Sequence, residues 1–322
     1  MQLLYFDDYR LGLLKDGMVI DMSSVVASIP HVEPQEIMSR LIARFGEYRP
    51  RLEQAAASAN RVPLSKVRLR PPLPRPANIV AMAVNYLELN AFATGQEMPA
   101  PGERTKAPPI NAFHKSPNAV IGHGDEMVLP DAPATIFEGE AELGVVIGKR
   151  AANVRAGDAM SYVFGYTNFI DGSARGLPPD RNTFFQMKSR DTFAPLGPCL
   201  VTADEIADPM KMSLRLWNNG KLMQEFSTEH MAYDIRQSIE FVTSVQTLEA
   251  GDLLATGTDH GGLHPLQDGD VIEMECHGLG RLRIRVRDDL KRTWARESRI
   301  DRYMKGLTGT TPQVTGRYAR RS

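Results

Sequence analysis

Three acidic residues at alternate positions lead directly into an apolar run. Glu138, Glu140 and Glu142 precede the run from Leu143 to Ile147, which is typical of a buried strand. Residues two apart in a strand share a face, so the carboxylates of Glu140 and Glu142 lie close together. A hard divalent cation would offset their repulsion and lost solvation, and oxygen ligands suit Mg²⁺, Mn²⁺ or Ca²⁺ better than Zn²⁺. A solvent-exposed acidic strand edge is the alternative interpretation.

Three further segments carry residues that could complete such a site. Asp171 ends a predicted strand and is a candidate third metal ligand, while Arg175, four residues later, could neutralise a substrate carboxylate. Lys188 stands just before a turn rich in proline and glycine. Thr258 follows another strand, where its hydroxyl and the backbone N–H groups could bind an anionic oxygen.

The predicted elements begin with a group of short strands and helices at the N-terminus, separate from the segments that carry the candidate residues. Short predicted strands around residues 3–6, 11–14 and 19–20 are separated by turn signals. A helix follows from Pro34 to Phe45, and a second one is predicted after Pro50. The proline-rich stretch 70–76 is a semi-rigid linker. We therefore predict a small N-terminal domain over residues 1–70.

Residues 71–290 have a mainly β pattern. An Asn-Gly turn at Asn219 and Gly220 predicts one hairpin, and alternating apolar residues in 271–286 predict a second. One clear helix contains Ile235, Ile239 and Val242 at helical spacing. The segments lack the regular alternation of strand and helix that a doubly wound sheet requires. The sequence predicts an α+β, mostly β fold in which 71–290 forms the metal-binding core.

Composition limits the functions to consider. The net charge is −1, which does not favour a nucleic-acid or membrane-surface protein. Cys199 and Cys276 lack metal-ligand spacing and are expected to be reduced, buried thiols. The N-terminus meets Asp7 and Asp8 too early for a signal peptide, and no apolar run could span a membrane. We expect a soluble, cytoplasmic protein.

The C-terminal segment 291–322 is basic, with interleaved aromatic residues. It could be a nucleic-acid or anionic-ligand patch, or an arm that docks on protein or bridges subunits. Trp294, Tyr303 and Tyr318 within it favour the docking arm.

The ordered motifs resemble those of the fumarylacetoacetate hydrolase family. They include E-x-E-L-x-x-V-I-G, G-Y-T-x-x-x-D-x-S-A-R, K-S-x-D-T-F-x-P-L-G-P and G-D-x-[IL]-x-T-G-T, which stand at 140–148, 165–175, 188–198 and 251–258. An F-x-K segment stands at 113–115 and an N-Y pair at 85–86. The resemblance is collinear from about Pro72 to Val286.

This resemblance implies a mixed β-roll or β-sandwich core, usually dimeric, after a small N-terminal α+β domain. It implies that Glu140, Glu142 and Asp171 hold a divalent metal, Mg²⁺ first, with Mn²⁺ or Ca²⁺ as alternatives. The residues expected to contact substrate or to catalyse are Arg175, Lys188, Thr258, Lys115 and Tyr86. The implied activity is C–C hydrolysis or decarboxylation of a β-dicarbonyl or 2-oxo acid such as an acylpyruvate, in the catabolism of aromatic compounds.

The sequence departs from the family where water would be activated. Many members have a histidine three residues after the N-Y tyrosine and a glutamate three further on, and here these positions are Leu89 and Phe92. Other members have a histidine and a glutamine where this chain has Ala91 and Pro178. His260, in a glycine-rich loop after Thr258, is our candidate replacement base, ahead of His264 and His114.

Three other functions compete with the hydrolase. The first is a metal-dependent lyase, isomerase or hydratase, which needs no strong water-activating base. The second is a catalytically degenerate family member. Burial of a carboxylate cluster lowers stability, which argues against a cluster that no longer serves a function. The third is nucleic-acid binding through the basic segment, which the net charge disfavours. We therefore expect a homodimer with a small-molecule oxo acid as its partner, and neither nucleic acid nor membrane.

Overall fold

The computed structural model describes residues 1–57, 60–87, 107, 109–178, 184–307 and 309–319. Its strands are β1 Gln2–Phe6, β2 Arg10–Lys15, β3 Met18–Asp21, β4 Arg61–Pro63, β5 Leu69–Arg70, β6 Ile79–Met82, β7 Ala112–Lys115, β8 Val120–Ile121, β9 Glu126–Val128, β10 Ile136–Ile147, β11 Val163–Arg175, β12 Ala194–Thr202, β13 Ser213–Asn218, β14 Lys221–Ser227, β15 Leu253–Ala255, β16 Val271–Cys276, β17 Leu282–Arg287, β18 Thr293–Trp294 and β19 Gln313–Thr315. Its α-helices are α1 Ser23–Val26, α2 Ile37–Ala43, α3 Phe45–Ala56, α4 Phe184–Lys188, α5 Ile235–Val245 and α6 Arg299–Met304, and short 3-10 turns join several of these elements.

In the described part of the chain, twelve strands form one mixed sheet. Its order is β4-β3-β2-β1-β12-β11-β10-β15-β6-β7, with β5 paired to β1 and β8 paired to β12. Most neighbours are antiparallel, but β15 runs parallel to β6 and β8 runs parallel to β12. A second sheet has the order β14-β13-β16-β17-β9, and β18 pairs with β19. The α+β, mostly β fold predicted from the sequence is confirmed.

The centre of the large sheet is buried on both faces. Every residue of β10 is buried, and near its end the neighbouring side chains Val145 and Val146 enter two different core clusters. Val145 packs in the cluster that contains Ile272 of the second sheet, whereas Val146 packs in the cluster that contains Leu41 of α2. This follows from the alternation of side chains along a strand. Polar groups on β10 therefore lie in the interior of the protein.

The N-terminal strands continue the large sheet of the core. Strand β1 pairs antiparallel with β12, with Leu3 opposite Leu200. Helices α2 and α3 cover this part of the sheet through buried residues that include Leu41 and Leu52. The predicted boundary at residue 70 stays a prediction, and it falls within a stretch whose β5 pairs with β1.

The local predictions are mostly confirmed, with one error in the helices. Asn219 and Gly220 adopt positive φ values in the β13–β14 turn, as an Asn-Gly hairpin requires. The second hairpin, β16–β17, and helix α5 are also present. Pro50, however, does not separate two helices, because it lies inside α3. The buried side chains of Tyr48 and Leu52 hold the helix against the core on either side of it.

The basic C-terminal segment is docked on the core. Arg292 is fully buried, and its guanidinium binds the Asp288 carboxylate and the carbonyl oxygens of Pro130 and Ala132. The indole of Trp294 donates a hydrogen bond of 2.7 Å to a backbone carbonyl that precedes β10. Over the described residues, no helix combines the length and apolar character needed to cross a bilayer.

Candidate metal centre

The predicted acids meet across the β10–β11 pair. Glu140 lies directly opposite Asp171 in the antiparallel register, and Glu142 is two residues along the same face of β10. Asp171 does not end its strand, as the sequence had suggested, because β11 continues to Arg175. Its neighbour Gly172 allows this continuation, since a Cβ there would stand 2.8 Å from the Phe193 ring.

The three carboxylates form one compact, buried cluster. Glu140, Glu142 and Asp171 each offer an oxygen within 4.8 Å of the others. The Ser173 hydroxyl donates to Glu140 over 2.7 Å, and the backbone N–H of Gly257 donates to Glu142 over 2.7 Å. The three side chains therefore offer a donor set made only of carboxylate oxygens.

Two buried lysines contact this cluster. The Lys188 ammonium, at the end of α4, lies 2.6 Å from a carboxylate oxygen of Glu140 and 2.6 Å from one of Asp171. The Lys115 ammonium, at the end of β7, lies 2.6 Å from Asp171 and also binds the backbone carbonyl of Lys188. Lys115 therefore both contacts Asp171 and fixes the position of Lys188.

Neighbouring charges shift the pKa values of Glu140 and Glu142 in opposite directions. Burial opposes ionisation of Glu140, but Lys188 and Arg175 outweigh it and lower the pKa of Glu140. Burial raises the pKa of Glu142 well above its ordinary value, and the charges of Asp171 and Glu140 raise it further. Among the described residues, no lysine or arginine lies within ion-pair distance of Glu142. Glu142 is therefore the carboxylate whose negative charge a bound cation would compensate most.

Glu138, the first of the three alternate acids, is bound by two arginines. Arg175 binds Glu138 and also Glu140. Arg299, at the start of α6, donates two hydrogen bonds to Glu138, of 3.0 and 2.6 Å. The two guanidinium groups lower the pKa of Glu138 to about 2, despite its burial. Glu138 is thus an ionised partner of arginine, and sequence reasoning missed the part played by Arg299.

Thr258 and Tyr86 flank the carboxylates. The Thr258 hydroxyl accepts a hydrogen bond of 3.0 Å from Gln224, whose side-chain oxygen in turn accepts from the N–H of Ala141. Gln224, which the sequence did not single out, thereby ties the loop after β15 to β10. The Tyr86 ring is buried and packs edge-on against Phe226. Burial raises the pKa of the Tyr86 hydroxyl well above 10, and the charges of Cys276 and then Glu142 add to the effect.

His260 lies beside the same charges, whereas His264 does not contribute to the site. The buried Nδ1 of His260 has no hydrogen-bond partner in the described structure. Burial lowers the pKa of His260 to about 3; Glu140 opposes this shift, while Arg299, Arg175 and Lys188 reinforce it. His264 instead contacts Asn218 at 3.1 Å. The Nε2 of His114 contacts the side-chain oxygen of Gln246 at an exposed position.

The positions at which the chain departs from the family motifs are only partly described. Leu89, Ala91 and Phe92 lie outside the described residues. Pro178 is described and exposed.

The residues present fit a divalent cation. Three ionisable oxygen donors are held close together inside the protein, and Glu142 has no cationic partner among the described residues. Repulsion by neighbouring carboxylates and the cost of burying a negative charge both raise the pKa of Glu142. A hard cation would offset both effects. The absence of sulfur and imidazole from this donor set favours Mg²⁺, Mn²⁺ or Ca²⁺.

The fold and the site together define a β-rich protein with a buried cluster of three carboxylates that fits a divalent metal. Residues 78–287 match the model of the fumarylacetoacetate hydrolase C-terminal domain. The chain belongs to the fumarylacetoacetate hydrolase family.

Named relatives differ in the reaction they catalyse. The chain is 38% identical to the oxaloacetate tautomerase YisK of Bacillus subtilis over 226 residues, which cover 68% of this chain and 73% of that protein. It is 30% identical to the maleylpyruvate hydrolase of Aquipseudomonas alcaligenes over 293 residues, which cover 89% of this chain and 99% of the relative. The crystal structure of the maleylpyruvate hydrolase of Sphingobium sp. SYK-6 with manganese(II) and pyruvate is similar, with a TM-score of 0.77, 33% identity and coverage of 89% and 99% of the two chains. These relatives support an enzyme at this site.

Proposed function

We propose that this protein is a divalent-metal-dependent enzyme that hydrolyses the C–C bond of an acylpyruvate or a related β-dicarbonyl 2-oxo acid. The observation that carries the proposal is the buried triad of Glu140, Glu142 and Asp171, with the Lys188 ammonium 2.6 Å from two of its members. Mg²⁺ is the proposed metal and Mn²⁺ is the first alternative, since a related hydrolase binds manganese(II) together with pyruvate.

The cation would be held by the three carboxylates, where it supplies Lewis acidity that favours the enolate form of a 2-oxo acid. The residues of the chain provide the rest of the electrostatic environment. Lys188 places a positive charge beside two ligands, and Lys115 fixes Lys188 through its backbone carbonyl. A fixed ammonium group in a buried site stabilises negative charge that develops on a nearby oxygen. Arg175, also bound to Glu140, is proposed to bind a substrate carboxylate.

Hydrolysis also requires a group that takes a proton from water. We propose that His260 is this general base, because its buried Nδ1 lacks a protein partner and its imidazole lies among the charges of the site. Burial keeps the ring neutral at pH 7, so its nitrogen can accept a proton. A pKa of about 3 makes it a weak base.

A tautomerase is the second candidate, favoured by one specific observation. Leu89 and Phe92 occupy the positions of the family's histidine and glutamate, so the usual water-activating pair is missing from the chain. Keto–enol exchange of a 2-oxo acid needs the enolate-stabilising site but no attack by water. The similarity to an oxaloacetate tautomerase supports this alternative.

One experiment separates the two candidates. The protein, loaded with Mg²⁺ or Mn²⁺, is given acylpyruvates, including maleylpyruvate, and separately enol-oxaloacetate. Loss of the acylpyruvate absorbance with release of pyruvate supports the hydrolase. Accelerated ketonisation of oxaloacetate without acylpyruvate cleavage supports the tautomerase. Absence of both activities from the metal-loaded protein contradicts the proposed function, and Glu142→Gln serves as the metal-deficient control.

We further propose that the enzyme acts in the cytoplasm as a homodimer. Large apolar side chains are exposed at Phe185, Val245 and Met304, at 72%, 75% and 79% respectively. The proposed dimer rests on the resemblance to a family whose members are usually dimeric, and these side chains would be buried only if they form one contiguous patch. Sedimentation velocity tests this: a monomer at micromolar concentration would contradict the dimer.

A further inference from the structure

The buried face of β14 contacts two residues that are expected to bind substrate. Gln224 and Phe226, two residues apart on this strand, are both buried. The ring of Phe226 packs edge-on against Tyr86, with the ring centroids 4.9 Å apart, and the amide of Gln224 donates a hydrogen bond of 3.0 Å to the Thr258 hydroxyl. Strand β14 is an edge of the second sheet and carries none of the three clustered carboxylates. Its contribution to the site is therefore to hold other groups in place.

The backbone determines which way the Gln224 amide is turned. The N–H of Ala141 can only donate, so the side-chain atom 3.2 Å from it is the Gln224 oxygen. The carbonyl of Asp259 can only accept, so the side-chain atom 2.7 Å from it is the Gln224 nitrogen. The same nitrogen lies 3.0 Å from the Thr258 hydroxyl. Because an amide nitrogen only donates, the Thr258 oxygen must accept this hydrogen bond.

The hydrogen of the Thr258 hydroxyl is then left without a good acceptor among the described residues. Thr258 is 1% exposed, and the Asp259 carbonyl lies 3.5 Å from its oxygen, well beyond the usual length of about 2.8 Å. The preceding residue, Gly257, donates its N–H to Glu142 over 2.7 Å, which places Thr258 beside the carboxylate cluster. A buried hydroxyl of this kind usually meets an acceptor, and an anionic oxygen of a bound ligand can supply it.

The loop after Thr258 also fits closely against β14. A Cβ atom at Gly262 would overlap the carbonyl oxygen of Met223 and would stand 2.7 Å from the Cγ of Gln224. The absence of a side chain at Gly262 allows this close approach of two backbones. The side chain of Gln224 is thus confined by the loop at 258–259 and again at 262, so its amide has little room to turn.

We propose that Gln224 is a positioning residue for Thr258. Its amide keeps the Thr258 oxygen as an acceptor and so directs the Thr258 O–H to an anionic oxygen of the 2-oxo acid at the metal centre. A hydroxyl that already accepts one hydrogen bond is polarised into a stronger donor, so the amide also strengthens the contact with the ligand. The inference rests on the proposed function, because the ligand that Thr258 meets is the metal-bound 2-oxo acid.

Equilibrium binding tests this role without any need for turnover. The Mn²⁺-loaded protein is titrated calorimetrically with pyruvate as the probe. Gln224→Met removes the amide and keeps most of the volume, and it should weaken pyruvate binding about tenfold, the size of one hydrogen bond to a charged group. Thr258→Val removes the hydroxyl and keeps the shape, and it should weaken binding by a similar factor.

A double variant separates positioning from a general structural effect. If Gln224 acts through the hydroxyl, Gln224→Met combined with Thr258→Val should bind pyruvate no more weakly than Thr258→Val alone. The Mn²⁺ shift in melting temperature should persist in all three variants, because the three carboxylates remain. Gln267→Met is the matched control, since Gln267 is also a buried glutamine but donates to the carbonyl of Trp294. It should keep the wild-type affinity for pyruvate.

Gln224→Asn replaces Gln224→Met if the latter does not fold. The shorter side chain keeps an amide but cannot reach Thr258 and Ala141 together, so it should also weaken pyruvate binding. Wild-type affinity in a folded Gln224 variant or in Thr258→Val overturns the positioning role. Additive losses in the double variant, or an equal loss in Gln267→Met, also overturn it. In each of these cases the wild-type protein still binds pyruvate and the proposed function stands. If the metal-loaded wild-type protein binds no pyruvate, the proposed function fails and the positioning role fails with it.

Discussion

Glu142→Gln should stabilise the metal-free protein and abolish its stabilisation by a divalent cation. In the metal-free protein, burial and then the charges of Asp171 and Glu140 raise the pKa of Glu142 well above its ordinary value of 4.5. A carboxyl group of this kind favours the folded state while it is protonated. Its contribution is complete below about pH 4.5 and is lost as the pH rises towards the raised pKa. Glutamine cannot ionise, so the variant avoids this loss at neutral pH.

The expected size follows from the linkage between proton binding and stability. Each unit by which the folded-state pKa of Glu142 exceeds its unfolded value destabilises the ionised protein by about 1.4 kcal/mol. For a chain of 322 residues, the unfolding entropy near 60 °C is about 0.7 kcal/mol/K. One unit therefore corresponds to a melting temperature about 2 °C higher in the variant. A cation at a hundred times its Kd adds about 2.7 kcal/mol, or about 4 °C, to the wild-type protein only.

Differential scanning calorimetry at pH 8, with EDTA and then with excess Mn²⁺, measures both effects. Glu225→Gln is the matched control, because Glu225 is an exposed strand residue that pairs with Arg215 at the surface. The control should keep the wild-type response to Mn²⁺. The reasoning is refuted if Glu142→Gln shows the same Mn²⁺ shift as the wild type. A metal-free variant that melts below the wild type would refute the charge argument for Glu142.

Three further changes test other parts of the site. Lys188→Met should lower the metal-free stability by about 3 kcal/mol, because it leaves Glu140 and Asp171 without their shared ammonium; calorimetry in EDTA measures it. His260→Gln should lower kcat by about 10²–10⁴ while the Mn²⁺ shift in melting temperature persists. Since the pKa of His260 is about 3, this group should add no pH dependence to the rate between pH 6 and 8. Truncation after Asp289 should lower the melting temperature by several degrees, because it removes the buried Arg292 and Trp294.

Each of these changes has an outcome that contradicts its premise. If Lys188→Met is as stable as the wild type without metal, the Lys188 ammonium does not compensate the negative charges of Glu140 and Asp171. Unchanged turnover in His260→Gln would exclude its role as a base and would favour the tautomerase. Salt-sensitive binding of the intact protein to random DNA or RNA, lost on truncation after Asp289, would assign the basic segment to nucleic acid and not to docking.

The parts of the site that follow local rules could be predicted from the sequence. The alternation of acids before an apolar run places Glu140 and Glu142 on one face whatever the rest of the fold does. The apolar spacing of helix α5 and the Asn-Gly turn are equally local. Asp171 was predicted as a third ligand from its place in a strand segment, and the resemblance agreed, but no local pattern reports its cross-strand position opposite Glu140.

The missed features depend on contacts between distant parts of the chain. Arg299 and Glu138 are 161 positions apart, and a basic residue in a basic segment gives no sign of which acid it will meet. Gln224 is likewise an ordinary polar residue until β14 brings it to Ala141 and Thr258. The helix through Pro50 persists because packing of its buried neighbours outweighs the local preference of proline to end a helix.

The direct opposition of Glu140 and Asp171 in the β10–β11 pair restricts how the length of this region can change during evolution. Because side chains alternate along a strand, one inserted residue between the ligands and the far end of either strand would turn that strand's acids to the opposite face. Both faces are packed, so the same insertion would also move apolar side chains out of two core clusters. Viable insertions and deletions should therefore gather in the connection from 148 to 162, outside both strands. Homologous sequences of different length should keep the spacing within each strand and vary in this connection.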